Sequence, residues 1–487
     1  GPPGDRGPSS LDWALQEGAT QWGVTVLEAV AEMDAGDIWA WAQVQVSPVG
    51  KSDLYRGEVA DAAADAVLLA VERFASGHHR PQRQDPAALA AGWRPFIRQP
   101  QRRIDWATQD TASVLRQLRA ADSQPGVLDE LLGEPWFLHG GYPEDELRGR
   151  PGELIATRDG AICRATVDGA VWIPQLRSQR RPDGPSTFKL PAVDALGSRL
   201  PALPEMPAPL ELPPGRRTWS EIRYREQGRV GFLQFGFPSG AMSTRQCKRL
   251  LEAYRYACSR DTEVLVLGGL RDFFSNGIHL NVIEAAADPA QESWANINAM
   301  NDLVQAVLTT TDRLTVCALG GNAAAGGVML ALAADEVWCR DGLVLNPHYR
   351  LMGLYGSEYW TYQLPRRVGA ERAQQLVETA LPVSTAAALR MGLIERVLQA
   401  SPEEFGDEVA RLAAQLAKSP KRRDRLARKC AERERDEALK PLQQYRDEEL
   451  AHMHRNFWGD NEPYHALRSA FVHKLLPVRT PDYLCGE

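Results

Sequence analysis

Two stretches of the sequence place small residues, carboxylates and histidines at spacings that can do chemistry. The first is Gly23-Val24-Thr25-Val26 followed by Glu32-Met33-Asp34-Ala35-Gly36-Asp37-Ile38. A carboxylate on a tight glycine turn just after a strand can fix a histidine's tautomer and stabilise the imidazolium formed on proton uptake. Asp and Gly also favour turns for purely local reasons, so a structural turn without chemistry is the alternative. The second is Phe273-Phe274-Ser275-Asn276-Gly277-Ile278-His279-Leu280, with Gly320-Gly321-Asn322-Ala323-Ala324-Ala325-Gly326-Gly327 downstream. Small residues at the mouth of a helix let backbone amides approach a ligand, and two amides from separate loops can bind one developing oxyanion. Close helix packing around Gly and Ala is the competing explanation. Further along, His348, Tyr349, Tyr355, Glu358, Tyr359 and Tyr362 crowd residues 348–362. They are candidates for moving a proton, with core aromatics and a satisfied structural histidine as the alternatives.

The elements that must position these groups are legible in coarse form. Residues 24–77 read as strand, loop and helix, with Ser52 capping a long helix that ends before Gly77. A Pro/Arg/Gln-rich stretch over 80–103 leads into an amphipathic helix near 112–121. Short β-type runs at 152–157, 161–166 and 170–173 are separated by Asp159-Gly160 and Asp168-Gly169, the hairpin signal of a small β-barrel. Prolines are dense over 180–217, which reads as a semi-rigid linker. A second module opens near Trp219 with β-runs at 221–224 and 230–235, a helix over 243–260 and a buried strand at 264–267. The alternation of strands and helices continues to about Val397. The charge-free run 315–334, interrupted by glycines, fits a buried helix better than a membrane span. Beyond Ser401 the chain is helical and highly charged, including Lys421-Arg422-Arg423 and Glu432-Arg433-Glu434-Arg435. A solvated face with i,i+4 pairs is one explanation, and a clamp for a cofactor's phosphates the other.

At 487 residues the chain is too long for one core, so about two or three domains are expected. With 44% apolar residues, 24% charged and a net charge of -7, it lies in the range of soluble globular proteins, without the positive field of a nucleic-acid clamp. The seven cysteines are scattered with no C-x-x-C pair, which favours a reducing cytoplasm over disulfides or a metal site. The opening Gly1-Pro2-Pro3-Gly4-Asp5-Arg6-Gly7 has neither an initiating Met nor a signal peptide and reads as a turn-rich loop within something longer.

Arg6-Gly7-Pro8, Trp13-Ala14-Leu15, Gly23-Val24-Thr25 and Met33-Asp34-Ala35-Gly36-Asp37-Ile38, in that order, resemble the second half of the catalytic domain of the methionyl-tRNA formyltransferase family. The stretch from Ile104-Asp105-Trp106 to about Arg177 looks like that family's C-terminal domain. The resemblance implies that Asp37 matches the Asp that acts with an Asn and a His on the formyl group of 10-formyltetrahydrofolate. The Asn and His motif lies upstream of the matched segment, so the chain as written is not expected to perform formyl transfer.

The segments around Asn276 and Gly326, followed by Asp335 and by Leu364-Pro365-Arg366-Arg367-Val368-Gly369, resemble the crotonase (enoyl-CoA hydratase/isomerase) superfamily over about 228–397. That resemblance puts the oxyanion-hole amides on Ile278 and Gly326 and coenzyme A near Asn276, Gly277 and Gly327, with Arg245 a basic candidate for its phosphates. Hydratases of the superfamily carry one glutamate where Met329 stands and another after a proline, whereas Pro347 is followed by His348-Tyr349-Arg350. Water addition is therefore not expected. His348, Tyr349, Tyr355, Glu358 and Tyr359 remain as candidate catalytic groups.

The pairing of the two modules, with Asn276-Gly277-Ile278-His279-Leu280 and Gly353-Leu354-Tyr355-Gly356-Ser357-Glu358-Tyr359-Trp360, resembles the HypX-type hydrogenase maturation proteins. The fold implied is α/β multi-domain. It comprises half of a formyltransferase catalytic domain (1–95), an OB-like barrel domain (96–185), a linker (186–217), a crotonase ββα spiral core (218–400) and C-terminal helices (401–487). The function implied is passage of formyl from 10-formyltetrahydrofolate to coenzyme A and decarbonylation of formyl-CoA to CO for nickel-iron hydrogenase. Small-molecule substrates and the hydrogenase maturation machinery are the implied partners, without nucleic acid, membrane or metal. An acyl-CoA hydrolase or isomerase using Glu358 as base, and a non-catalytic CoA-binding scaffold, are the alternatives.

Overall fold

The computed structural model describes residues 5–85, 87, 92–268 and 270–475. The chain separates into two compact units, one formed by Gly1–Ala208 and Pro214–Trp219, the other by Pro209–Pro213 and Ser220–Glu487.

In the first unit the strands Gln21–Leu27 and Ile38–Gln45 pair antiparallel, bringing Thr25 opposite Trp41. The long helix expected after them is broken at Gly57 into Lys51–Arg56 and Glu58–Ser76. Ser52 is not its cap: Gly50 takes that place, and the Ser52 hydroxyl donates to Asp122 Oδ2 at 2.6 Å. Gly77 closes the second helix in the left-handed conformation, where the missing Cβ removes the steric cost.

The barrel-like part contains two four-stranded sheets. One orders Leu190–Pro191, Gln175–Ser178, Glu134–His139 and Val127–Leu131; the other orders Tyr142–Glu144, Ala170–Ile173, Ala161–Ala165 and Leu154–Arg158. Asp159 and Gly160 both have positive φ, at 51° and 89°, as the tight hairpin turn requires. The helix Thr111–Ala120, capped by Asp110, buries Val114 and Leu118 in a core with Val127, Leu138, Ile162 and Leu176. The proline-rich segment is not uniformly irregular, because the helix Ala192–Leu196 inserts Ala192 and Leu196 into this same core.

The second unit is built on a six-stranded sheet ordered Ile222–Gln227, Val230–Phe235, Val264–Gly268, Leu314–Leu319, Glu336–Arg340 and Arg396–Leu398. The first pair is antiparallel and every later pair parallel, the strands of this sheet lying side by side in chain order. Parallel strands covered on both faces read as unbroken apolar runs. That explains a correction: the charge-free run 315–334 is no single helix, but the strand Leu314–Leu319 followed by a loop and the helix Gly326–Leu332.

Alternate residues of the central strands serve two cores. Leu265, Leu267, Cys317 and Leu319 meet the helices Thr244–Cys258, Pro289–Leu308 and Gly326–Leu332. Val264, Val266 and Val316 meet the helix Phe405–Lys418, so the charged C-terminal region closes the sheet's other face. The helix Arg422–Leu439 buries no residue and is tied down by ion pairs Arg425–Glu336, Lys429–Asp335 and Arg422–Glu263 at 2.6–2.7 Å. Of the basic cluster suggested for phosphates, Arg422 is thus committed to Glu263, while Lys421 and Arg423 are exposed. Among the described residues no helix is long and apolar enough to cross a membrane, and no cluster of side chains is composed to hold a metal ion.

Candidate active site

The loop that follows the strand Val264–Gly268 is strapped to the one that follows Leu314–Leu319. Phe274 N–H donates to Asn322 O and Ala324 N–H to Ser275 O, both at 2.9 Å. Glycine makes this approach feasible: a Cβ added at Gly327 would lie 2.1 Å from Ser275 O, and one at Gly277, whose φ is +79°, 3.3 Å from Gly326 N. Two backbone amides, those of Ile278 and Gly326, therefore come from adjoining loops, and among the described residues neither donates to a protein acceptor. Ala325, just before Gly326, is held at φ 48° and ψ -126°, a conformation costly for a residue with a Cβ, and its N–H donates to Asn346 O at 2.9 Å.

His279 fixes the other loop. Its N–H donates to Asn296 Oδ1 at 3.0 Å and its Nδ1 accepts from Val282 N–H, which leaves the ring neutral, with its pKa pushed down to about 4 by burial. Asn276 contributes in a similar way, its Nδ2 donating to Ser239 O at 2.8 Å.

Against Gly326 lies Glu358, 1% exposed, with φ +57°, followed by Tyr359 at φ +59°. Two successive left-handed residues with side chains persist only where the surroundings over-determine them. Here Asn301 Oδ1 accepts from Glu358 N–H at 2.7 Å, and Gln363 Nε2 donates to Glu358 O at 2.7 Å. Glu449 accepts from the N–H groups of Tyr359 and Thr361, both at 2.9 Å. The Tyr349 hydroxyl donates to Glu358 Oε2 at 2.8 Å, its ring resting on Gly356, where an added Cβ would lie 2.2 Å from Tyr349 Cδ2. Glu358 Oε1 reaches the Cα of Gly326, where an added Cβ would lie 2.2 Å from it. Burial pushes the Glu358 carboxyl up to about 8 against the pull of the Tyr349 hydrogen bond, and the nearby Glu449 adds to the rise. Burial likewise raises Tyr349 well above the ordinary phenol. Glu358 therefore holds its proton to higher pH than an ordinary carboxyl, at the face of Gly326.

Residues 227–472 match the enoyl-CoA hydratase/isomerase family and residues 97–188 the formyl transferase C-terminal domain. Hydrogenase maturation factor HoxX of Bradyrhizobium diazoefficiens is 46% identical over 489 aligned residues, covering 100% of this chain and 84% of that protein. The chain belongs to the HypX/HoxX family of hydrogenase maturation factors. HypX from Aquifex aeolicus, crystallised in complex with tetrahydrofolic acid, superposes with a TM-score of 0.94 at 44% identity, over 99% of this chain and 85% of that one. A methionyl-tRNA formyltransferase of Streptococcus pneumoniae is 25% identical over 180 residues, 37% of this chain and 57% of that protein.

Within this HypX/HoxX-family chain the candidate residues do not all converge. Gly326, Tyr349 and Glu358 do, with Gly277 and Gly327 allowing the two loops to approach and Ile278 following Gly277 in its loop. His348, 8% exposed, has no partner for Nδ1 among the described residues, and burial lowers its pKa. Tyr355 stacks on His452 with centroids 4.0 Å apart, and Tyr359 is fully buried with its hydroxyl beside Arg446 and Asp302. Tyr362 serves the scaffold, its hydroxyl donating to Asp436 and accepting from Arg433. Arg245 is exposed on the first turn of the helix Thr244–Cys258. Asp37 is half-buried in the first unit, after Gly36, where an added Cβ would lie 1.8 Å from Glu28 O. Met329 is fully buried in the apolar core. Asn301, Ser357, Gln363 and Glu449 were not anticipated from sequence, although Glu449 shares a helix stripe with Leu442, Met453 and Phe457 that would have flagged its burial.

Proposed function

We propose that the crotonase-like unit decarbonylates formyl-CoA to CO and free coenzyme A, supplying hydrogenase maturation. The formyl group would come from 10-formyltetrahydrofolate through the formyltransferase-like part, with Asp37 the residue of this chain assigned to that step. The tetrahydrofolic acid bound by the Aquifex aeolicus relative supports the folate assignment. The observation that carries the decarbonylase reading is Glu358, a carboxyl buried at the face of Gly326, its pKa pushed up to about 8, in a chain with Met329 where a hydratase glutamate would stand.

Formyl-CoA has no α-carbon, so neither an enolate nor a base at an α-proton is required. The N–H groups of Ile278 and Gly326 polarise the thioester carbonyl. As the C–S bond breaks, its electron pair leaves with sulfur, which takes the Glu358 proton. The formyl C–H pair becomes the carbon lone pair of CO, and the formyl proton returns to the Glu358 carboxylate, restoring the starting state. Tyr349 orients the carboxyl throughout. A carboxyl that is neutral near pH 7 suits this donor role better than that of a general base in a hydrolase or isomerase. The test is to supply carbon-13 formyl-CoA and identify the labelled product: labelled CO supports the proposal, and labelled formate replaces it with thioester hydrolysis.

A further inference from the structure

The loop bearing Glu358 is held from an unexpected direction. Glu449 lies midway along the helix Leu442–Trp458, beyond the alternating strands and helices, and is 1% exposed. One of its oxygens accepts from Thr361 N–H at 2.9 Å and from the Thr361 hydroxyl at 2.5 Å. The other accepts from Tyr359 N–H at 2.9 Å and from the Ser357 hydroxyl at 3.3 Å. No cation is among these partners, so a buried carboxyl is satisfied wholly by neutral donors that flank Glu358 in sequence. A surface acid could not do this, and an apolar residue at 449 would leave those donors unpaired.

We propose that Glu449 is a positioning residue for Glu358: it clamps residues 357–361 in the strained conformation that presents Glu358 and, as a second buried carboxyl, couples the two groups so that they hold their protons jointly. This rests on the decarbonylase reading of the site. Two carboxyls in one dry cluster cannot both ionise cheaply, so each favours the other's neutral form. Burial raises Glu449 to about 7 and Glu358 to about 8, with Glu449 contributing to the latter rise. The other titratable groups facing Glu358 are Tyr349, and Cys247 from the helix Thr244–Cys258, whose thiol burial pushes up. Asn301 and Gln363, from the two remaining helices against the loop, are neutral, while Arg446 and Asp302 lie at the Tyr359 side.

Glu449→Gln keeps the shape and removes the charge. The alkaline limb of the pH–rate profile for CO release should move toward acid, giving a loss of about tenfold at pH 8 that is recovered at pH 6. Thr361→Val, which removes one clamp bond and leaves the carboxyl, should not reproduce that shift; the same acidward shift in both variants would overturn the coupling. Because Glu449→Gln risks failing to fold, infrared titration of protonated carboxyls in the parent and in Glu358→Gln gives an independent reading. Glu449, the lower of the two, ionises while Glu358 is still neutral, so Glu358→Gln should delete the upper step and leave the lower one in place, the upper step in the parent being displaced upward by the charge already on Glu449. A parent whose two carboxyls titrate in one unseparated step, or a Glu358→Gln protein that keeps the upper step and loses the lower, would overturn the proposal even if CO release were intact, whereas coupled titration without CO release would overturn the decarbonylase reading alone.

Discussion

Glu358 Oε1 rests so close to the Cα of Gly326 that a methyl group there would lie 2.2 Å from it. Gly326→Ala should therefore act as an overpacking substitution, costing about 1–3 kcal/mol in urea unfolding. Adding Glu358→Ala empties the space and should recover most of that loss. The double-mutant cycle measures the contact directly, and purely additive effects would contradict it.

The pair of raised carboxyls also gives stability a pH slope. In the folded state Glu358 titrates at about 8 and Glu449 at about 7, against an ordinary value of 4.5. Above pH 4.5 the unfolded chain has released protons that the folded chain retains. The stabilising contribution is therefore fully present below 4.5 and is lost as pH rises through 7 and 8. Between pH 6.5 and 8, above the range of the neutral buried histidines, unfolding free energy should fall with pH. Glu358→Gln should flatten that slope by up to about 1.4 kcal/mol per pH unit. An identical slope in parent and variant would mean that Glu358 is ionised near pH 7.

Much of the architecture is written in local pattern. The strands Val230–Phe235 and Val264–Gly268 are apolar on both faces, and the Ser243 capping box with Gln246 announces the helix Thr244–Cys258. The close approaches at Gly277 and Gly327 were legible because they need small residues at fixed places, whereas Ile278 and Gly326 were assigned through the resemblance to the crotonase superfamily. Glu449 was missed: only helix phase, the stripe it shares with Leu442, Met453 and Phe457, separates it from its neighbour Glu448. The latter is exposed and pairs with Lys440, while Glu449 is buried by helix phase. Ser52 misled for a related reason: a serine before an apolar run signals a cap, but Asp122, distant in sequence, took its hydroxyl. Such partners are fixed by tertiary packing, which local propensity does not encode.

Tyr349→Phe keeps the ring on Gly356 and deletes the hydroxyl that holds the Glu358 value down. Glu358 should then remain neutral to higher pH, and the alkaline limb of CO release should move upward while the rate near neutrality falls modestly. A pH–rate profile identical to the parent's would exclude this hydrogen bond from the proton path.

Met329→Glu places a carboxylate in a fully buried apolar slot. Without a partner there it should destabilise the unit by about 1–3 kcal/mol or stay protonated, and it should not raise CO output. A gain in CO with the parent's stability would mean that the slot is open to the reacting group. Denaturant unfolding and CO assay on one preparation distinguish these outcomes.

The most direct measurement is CO release from synthetic formyl-CoA, followed at a haem reporter with parallel thiol assay, for the parent chain and Glu358→Gln. The expected result is CO and free thiol in equal amounts from the parent, with the variant slower by about 100-fold or more while still binding coenzyme A. Thiol without CO from the parent, or CO at the parent rate from a folded Glu358→Gln, would contradict the assignment of Glu358 as the group that moves the formyl proton.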